Sequence, residues 1–201
     1  EQLKIKVKKA IQEHGQEAVL AIGETGLDRP RSLADLESQV RLMRAHLLLA
    51  EELRRTTVLH CRANDGAEEK ESDLLAILLF ELEESMKRSH YHPRVFYLHC
   101  CELSSMKLAI FRSKMKMYGA KMFLGINGKV LSAGRMDDLV RTARIEELVA
   151  ESDAPYLGQR NQAASPLKTM AVMVKVAAAK RISLGRTAHV MTANAAEMWF
   201  S

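Results

Sequence analysis

The strongest constraint on this chain is an alternation: short apolar runs are separated by longer segments in which apolar residues recur every three or four positions. Five runs read as strands, at Val19–Gly23, Thr56–Leu59, Val95–Leu98, Lys121–Ile126 and Leu148–Ala150. They lack clear period-two alternation, as expected where helices cover both faces of a sheet. The segments between and after them predict helices over Leu33–Leu53, Glu68–Met86, Ser104–Tyr118, Met136–Ile145, Leu167–Lys180 and Ser183–Trp199. Repeated strand–helix order means an α/β fold with a parallel sheet.

The helix from Leu33 shows the period best. Leu36, Val40, Met43, Leu47 and Ala50 share one stripe while Glu37, Arg41, Arg44, Glu51 and Arg54 fall elsewhere, so this helix should lie on a sheet. Ser183 followed by Arg186 marks a weak helix start, because the acidic third residue of a capping box is missing.

Four residues of metal-ligand type follow the apolar runs: Glu24, His60, His99 and Asp153. In parallel α/β proteins the C-terminal strand ends converge on one face, where sites are assembled from residues distant in sequence. Carboxylate and imidazole together suit zinc, manganese or magnesium to different degrees.

A chain of 201 residues with 47% hydrophobic and 27% charged composition is ordinary for one globular domain. No run approaches the ~18 apolar residues of a membrane span, and the start, Glu1-Gln2-Leu3-Lys4, lacks a secretory layout. The expectation is a soluble intracellular protein, cytoplasmic or nuclear, with no membrane partner. Three cysteines, Cys61, Cys100 and Cys101, offer no paired spacing for a disulfide framework. Cys61 and Cys100 each follow a candidate ligand histidine, but alternation along a strand would turn them to the opposite face, so packing is the expectation.

The net charge of +5 suits an anionic partner without deciding one. Lys4, Lys6, Lys8 and Lys9 form one basic cluster; Lys107, Arg112, Lys114, Lys116 and Lys121 form another. Each reads either as a solvated helix face or as a phosphate-tracking surface. His46 and His189 lie within helical segments and read as structural or half exposed, the eleven methionines as core filling, and Trp199-Phe200 as packing of the last helix.

Four stretches then carry a resemblance. Gly23-Glu24-Thr25-Gly26-Leu27-Asp28, His60-Cys61-Arg62, His99-Cys100 and Glu151-Ser152-Asp153-Ala154-Pro155-Tyr156-Leu157 resemble, in content and order, segments of the TatD-like metal-dependent deoxyribonucleases. Asn194-Ala195-Ala196 before Phe200 is similar to that family's closing motif. The resemblance implies a TIM-type (β/α) barrel of the metal-dependent hydrolase kind and DNA as substrate. It also implies two divalent metal ions, zinc, magnesium or manganese, over the strand ends.

Carried over by that resemblance, Glu24 bridges two metals, His60 and His99 bind one, and Asp153 binds the other and helps activate the attacking water. Paired metals about 3.5–4 Å apart stabilise both oxygens of a phosphodiester displacement. Arg62 matches the arginine of the His-Cys-Arg stretch, and either grips a substrate phosphate or pairs with a carboxylate behind the ligands. Asp28 is either such a carboxylate or a surface cap. Arg160 and Asn161 match the loop after Tyr156-Leu157, which implies a substrate contact at Arg160.

The chain departs from the family in one respect. No His-x-His precedes Glu24, where only His14 occurs, and His90 and His92 have that spacing in the wrong place. With five strands read where about eight are usual, the expectation is a single domain, 1–201, lacking the first strands of its barrel and incomplete at the N-terminus. An incomplete barrel would favour self-association or a partner at its open edge. Three functions stay open: a two-metal deoxyribonuclease, a catalytically impaired paralogue that keeps metal or nucleic-acid binding, or amidohydrolase-type cleavage of another bond on a similar barrel.

Overall fold

A computed structural model describes residues 2–30, 32–62, 68–89, 94–131, 137–157 and 163–200. Among the described residues, seven α-helices and five strands follow one another as α1 (Gln2–His14), β1 (Ala21–Asp28), α2 (Leu36–Leu53), β2 (Thr56–Arg62), α3 (Glu68–Arg88), β3 (Val95–Leu98), α4 (Ser105–Met117), β4 (Lys121–Ile126), α5 (Asp137–Thr142), β5 (Leu148–Ala150), α6 (Lys168–Lys180) and α7 (Leu184–Phe200). The strands form one sheet in the order β1-β2-β3-β4-β5, and the pairs β1–β2 and β4–β5 are parallel. Among the described residues no helix is long and apolar enough to cross a membrane.

The residues divide into two compact units, one running up to Phe96 and taking in Lys116–Lys121 and Phe200, the other comprising Tyr97–Met115 and Met122–Trp199. In the first unit, α2 starts at Leu36 rather than Leu33. The Asp35 carboxylate accepts the Ser38 amide at 2.7 Å and so fixes the helix start, leaving Leu33 exposed. The expected stripe is confirmed, since Met43, Leu47 and Ala50 are buried, together with Leu27 on β1, Leu59 on β2 and Leu74, Leu78 and Leu82 on α3. Arg44 of α2 pairs bidentately with Glu81 of α3, both bonds at 2.6 Å. Ahead of these elements, α1 packs Val7 against Ile22 and Leu49. Its Lys4 and Lys8 both pair with Glu52, at 2.6 and 2.8 Å.

In the second unit, α5 stops at Thr142 because Ile145–Glu147 forms a separate 3-10 turn. That turn is held by Glu147, which accepts the Arg144 amide at 2.9 Å and two bonds from Arg112 at 2.8 and 2.7 Å. Ser183 does cap α7, its hydroxyl accepting the Arg186 amide at 3.2 Å. From α7, the buried Asn194 amide donates to the carbonyls of Ile145 and Leu148 at 2.7 and 2.8 Å. This gives the closing Asn motif a physical role, since it fastens the strand that leads into Glu151 and Asp153. Trp199 meets Tyr97 edge to face with ring centroids 6.0 Å apart, whereas Phe200 is exposed.

Candidate metal centre

In the first unit, Glu24 does not follow the end of β1 as the apolar run suggested. The strand continues to Asp28, with a shift of register between Ile22 and Thr25 that places Glu24 at the irregularity. Beyond the shift, pairing resumes with Gly26 opposite His60 and Asp28 opposite Arg62. Gly26 has φ +149°, and a Cβ there would run into the backbone of His60. The glycine therefore lets the two strands approach at the ligand position.

His60 sits between two carboxylates. Its Nδ1 lies 2.7 Å from Glu24 Oε1 and its Nε2 3.5 Å from Asp28 Oδ2. Asp28 in turn accepts from Arg62 through Nε at 3.1 Å and through Nη2 on its other oxygen. Of the two readings for Arg62, this fork is the carboxylate pairing, and it makes Asp28 a partner of His60 and Arg62 rather than a surface cap. The backbone of Asp28 is fixed by Gln39 of α2, whose Oε1 accepts the Asp28 amide at 2.7 Å, a residue that sequence reasoning did not single out. Behind Glu24, Thr25 is buried with its hydroxyl 3.3 Å from Nδ1 of His46, which also lies 2.8 Å from the Leu42 carbonyl. His46 is structural, as expected.

In the second unit, His99 directly follows β3. Its Nδ1 lies 2.8 Å from Glu151 Oε2, and its Nε2 lies 3.4 Å from Asp153 Oδ1. Cys100 and Asp153 both adopt left-handed backbone, at φ +49° and +53°. Non-glycine residues in that region cluster at functional sites. The turn at Cys100 also defeats the alternation argument, because it swings Sγ back to 3.1 Å from His99 Nε2 instead of to the opposite face. Cys100 is thus a neighbour of the candidate ligands rather than a packing residue. Burial, then the Glu151 and Asp153 carboxylates, push its thiol well above the ordinary range.

Glu151, noticed in sequence only as part of a motif, is the most connected group here. Its Oε2 accepts from the Tyr97 hydroxyl, while Oε1 accepts the Cys100 amide at 2.8 Å and the buried Asn127 amide at 3.2 Å. Burial alone would raise its pKa, but the bonds from His99, Tyr97 and the Cys100 amide outweigh it and hold the carboxyl below the usual value. Burial likewise pushes the Tyr97 phenol well up, with the Glu151 charge adding to it, so that Tyr97 is a donor.

The donor sets fit a divalent cation. Each unit offers imidazole nitrogen and carboxylate oxygen, and His99, Cys100 and Glu151 have ligand atoms mutually within 4.8 Å. Two ligand atoms bonded to one ion at about 2.0–2.2 Å in tetrahedral geometry lie about 3.4 Å apart. The His99–Asp153 separation of 3.4 Å is of that size, whereas His60 and Glu24 stand at hydrogen-bond distance, 2.7 Å. Arg160, Asn161, His90 and His92 lie outside the described residues. In the basic clusters, Lys4 and Lys8 are engaged by Glu52 and Arg112 by Glu147, which favours a salt-bridged helix face for those members.

A family profile described as TatD related DNase matches residues 2–200. A protein named 3′-5′ ssDNA/RNA exonuclease TatD from Shigella flexneri is 32% identical over 155 residues, and its namesake from Escherichia coli K12 is 31% identical over 155. In both cases the match takes in 75% of this chain and 52% of the relative, so the chain spans about half the length of the curated relatives it matches. Among solved structures, a TatD homologue from Escherichia coli K12 superimposes with a TM-score of 0.71 at 19% identity, covering 98% of this chain and 70% of the other. An uncharacterized amidohydrolase from Saccharomyces cerevisiae gives 0.74 at 17% identity, covering 98% and 69%. The fold shared with these structures is the TIM-type α/β class that the family resemblance implied.

Proposed function

The chain belongs to the TatD related DNase family, and from that premise we propose that it serves metal-dependent hydrolysis of phosphodiester bonds in DNA. Its matched relatives are named as 3′-5′ exonucleases on single-stranded DNA and RNA, which makes a single-stranded nucleic acid the substrate to try first. The observation that supports this most is the pairing of each candidate histidine with carboxylates: His60 with Glu24, and His99 with Glu151 and Asp153. The family match over residues 2–200 supports reading the chain as one hydrolase domain.

In this proposal Glu24, His60, His99 and Asp153 are the metal ligands, and two divalent ions is the number that the family resemblance implies. The chemistry such ions supply when bound is Lewis-acid stabilisation of charge on the phosphoryl oxygens. Glu24, beside His60, would offer an ion its carboxylate oxygens. Asp153 accepts the proton of the attacking water, acting as general base. Arg160 binds a phosphate of the substrate, while Arg62 stays with the Asp28 carboxylate behind His60.

A 5′-labelled single-stranded oligonucleotide incubated with the metal-loaded chain tests this reading. A ladder shortened from the 3′ end, abolished by chelator and restored by added Mn²⁺, is expected. Metal binding without any cleavage would reject catalysis and favour a binding-only paralogue.

A further inference from the structure

We infer that Glu151 is a positioning residue: it fixes the ring of His99 with the proton on Nδ1, so that Nε2 is the nitrogen presented to a metal. This rests on the reading of His99 as a ligand. An ionised carboxylate can only accept hydrogen bonds. The Tyr97 hydroxyl, the Cys100 amide, the Asn127 amide and His99 Nδ1 all converge on the two oxygens of Glu151, so the ring nitrogen facing them carries the proton. Nε2 then keeps its lone pair, with Cys100 Sγ at 3.1 Å and Asp153 Oδ1 at 3.4 Å, longer than a charge-assisted hydrogen bond and unlike the 2.8 Å at Nδ1. A histidine whose second nitrogen donates to a carboxylate is a stiffer and more basic ligand.

The seat of Glu151 is built for it. Gly125 on β4 leaves room where a Cβ would strike both the Glu151 carboxylate and the Tyr97 hydroxyl, the latter at 2.6 Å. Asn127 ties the frame further, since its amide lies 2.9 Å from Cys100 Sγ as well as 3.2 Å from Glu151. The side chains of His99 and Glu151 are only 18% and 12% exposed, so water competes little for the bond between them.

Long-range ¹H–¹⁵N correlation spectra of the metal-free chain, labelled at histidine and assigned with His99→Gln, read the tautomer directly. Nδ1 protonated at His99 is expected; Nε2 protonated would overturn the inference without any substitution being needed. Glu151→Gln, which sets an NH₂ against converging donors, should weaken Zn²⁺ binding by about 10–100-fold while the unfolding midpoint confirms a folded chain. Unchanged Zn²⁺ affinity in folded Glu151→Gln would also overturn it. If neither chain binds Zn²⁺, the metal-dependent function fails while the tautomer still decides the role of Glu151.

Discussion

The side-chain amide of Asn194 donates to the carbonyl of Leu148 at 2.8 Å, linking α7 to the strand that delivers Glu151 and Asp153. The same amide serves Ile145, and the side chain is buried. Asn194→Ala leaves two carbonyls without this donor and should cost about 2–4 kcal/mol of stability in chemical denaturation. Asn194→Asp should cost more, because it turns a carboxylate towards those carbonyls. Equal stability of Asn194→Ala and wild type would show the motif to be incidental to the fold.

Gly26→Ala should destabilise the chain by about 3 kcal/mol, since its Cβ would meet the His60 backbone and the residue has φ +149°. Gly15, with positive φ but nothing within 4 Å, is the control. Gly15→Ala bears only the conformational penalty and should be the milder change by thermal melting.

Arg94 is buried and reaches Glu51 at 3.3 Å, Ser85 at 3.3 Å and the Leu47 carbonyl at 3.2 Å. Burial pulls its pKa below that of an ordinary arginine, and the Glu51 charge opposes this. Glu51→Leu alone should cost about 3 kcal/mol by leaving the cation poorly compensated, whereas Glu51→Leu with Arg94→Met should recover most of that loss. A double variant weaker than the single would contradict this account.

Docking of α1 should weaken in acid. Hydrogen bonds from Lys4 and Lys8 hold the Glu52 carboxyl below the usual carboxylate range. Because the folded pKa is depressed, the stabilisation is complete above the unfolded value and is lost as pH falls through the folded one. Hydrogen exchange of α1 amides, corrected for its intrinsic pH dependence, should show less protection below about pH 4. Added salt should reduce protection too, and Glu52→Gln should be insensitive to both.

The fold was legible because burial on both faces leaves short apolar runs that helical periods separate. All five strands lie where those runs predicted, with β1 and β2 extended beyond their expected ends. The extension had a cause that composition hides: Gly23-Glu24 is an irregularity inside β1, so pairing continues to Asp28 and Arg62. The four candidate ligands were chosen by residue type and position, and the structure sets His60 beside Glu24 and His99 beside Asp153. Cys100 was misplaced because alternation holds only within a strand, and its left-handed backbone lies just past β3. Glu151 did have a signal. It stands two residues before Asp153, directly after the apolar run, where a carboxylate near a buried sheet end needs donors. Gln39 and Asn127 had none, since their roles arise from contacts between residues 11 and 24 apart.

Metal content measured after dialysis against Zn²⁺ or Mn²⁺ tests the central claim most directly, on the wild-type chain and on folded Glu24→Gln, His60→Gln, His99→Gln and Asp153→Asn variants. The wild-type chain should retain metal, and each substitution should lower the retained amount or the affinity by at least about tenfold. Full retention of metal by a folded variant carrying all four substitutions would contradict this claim.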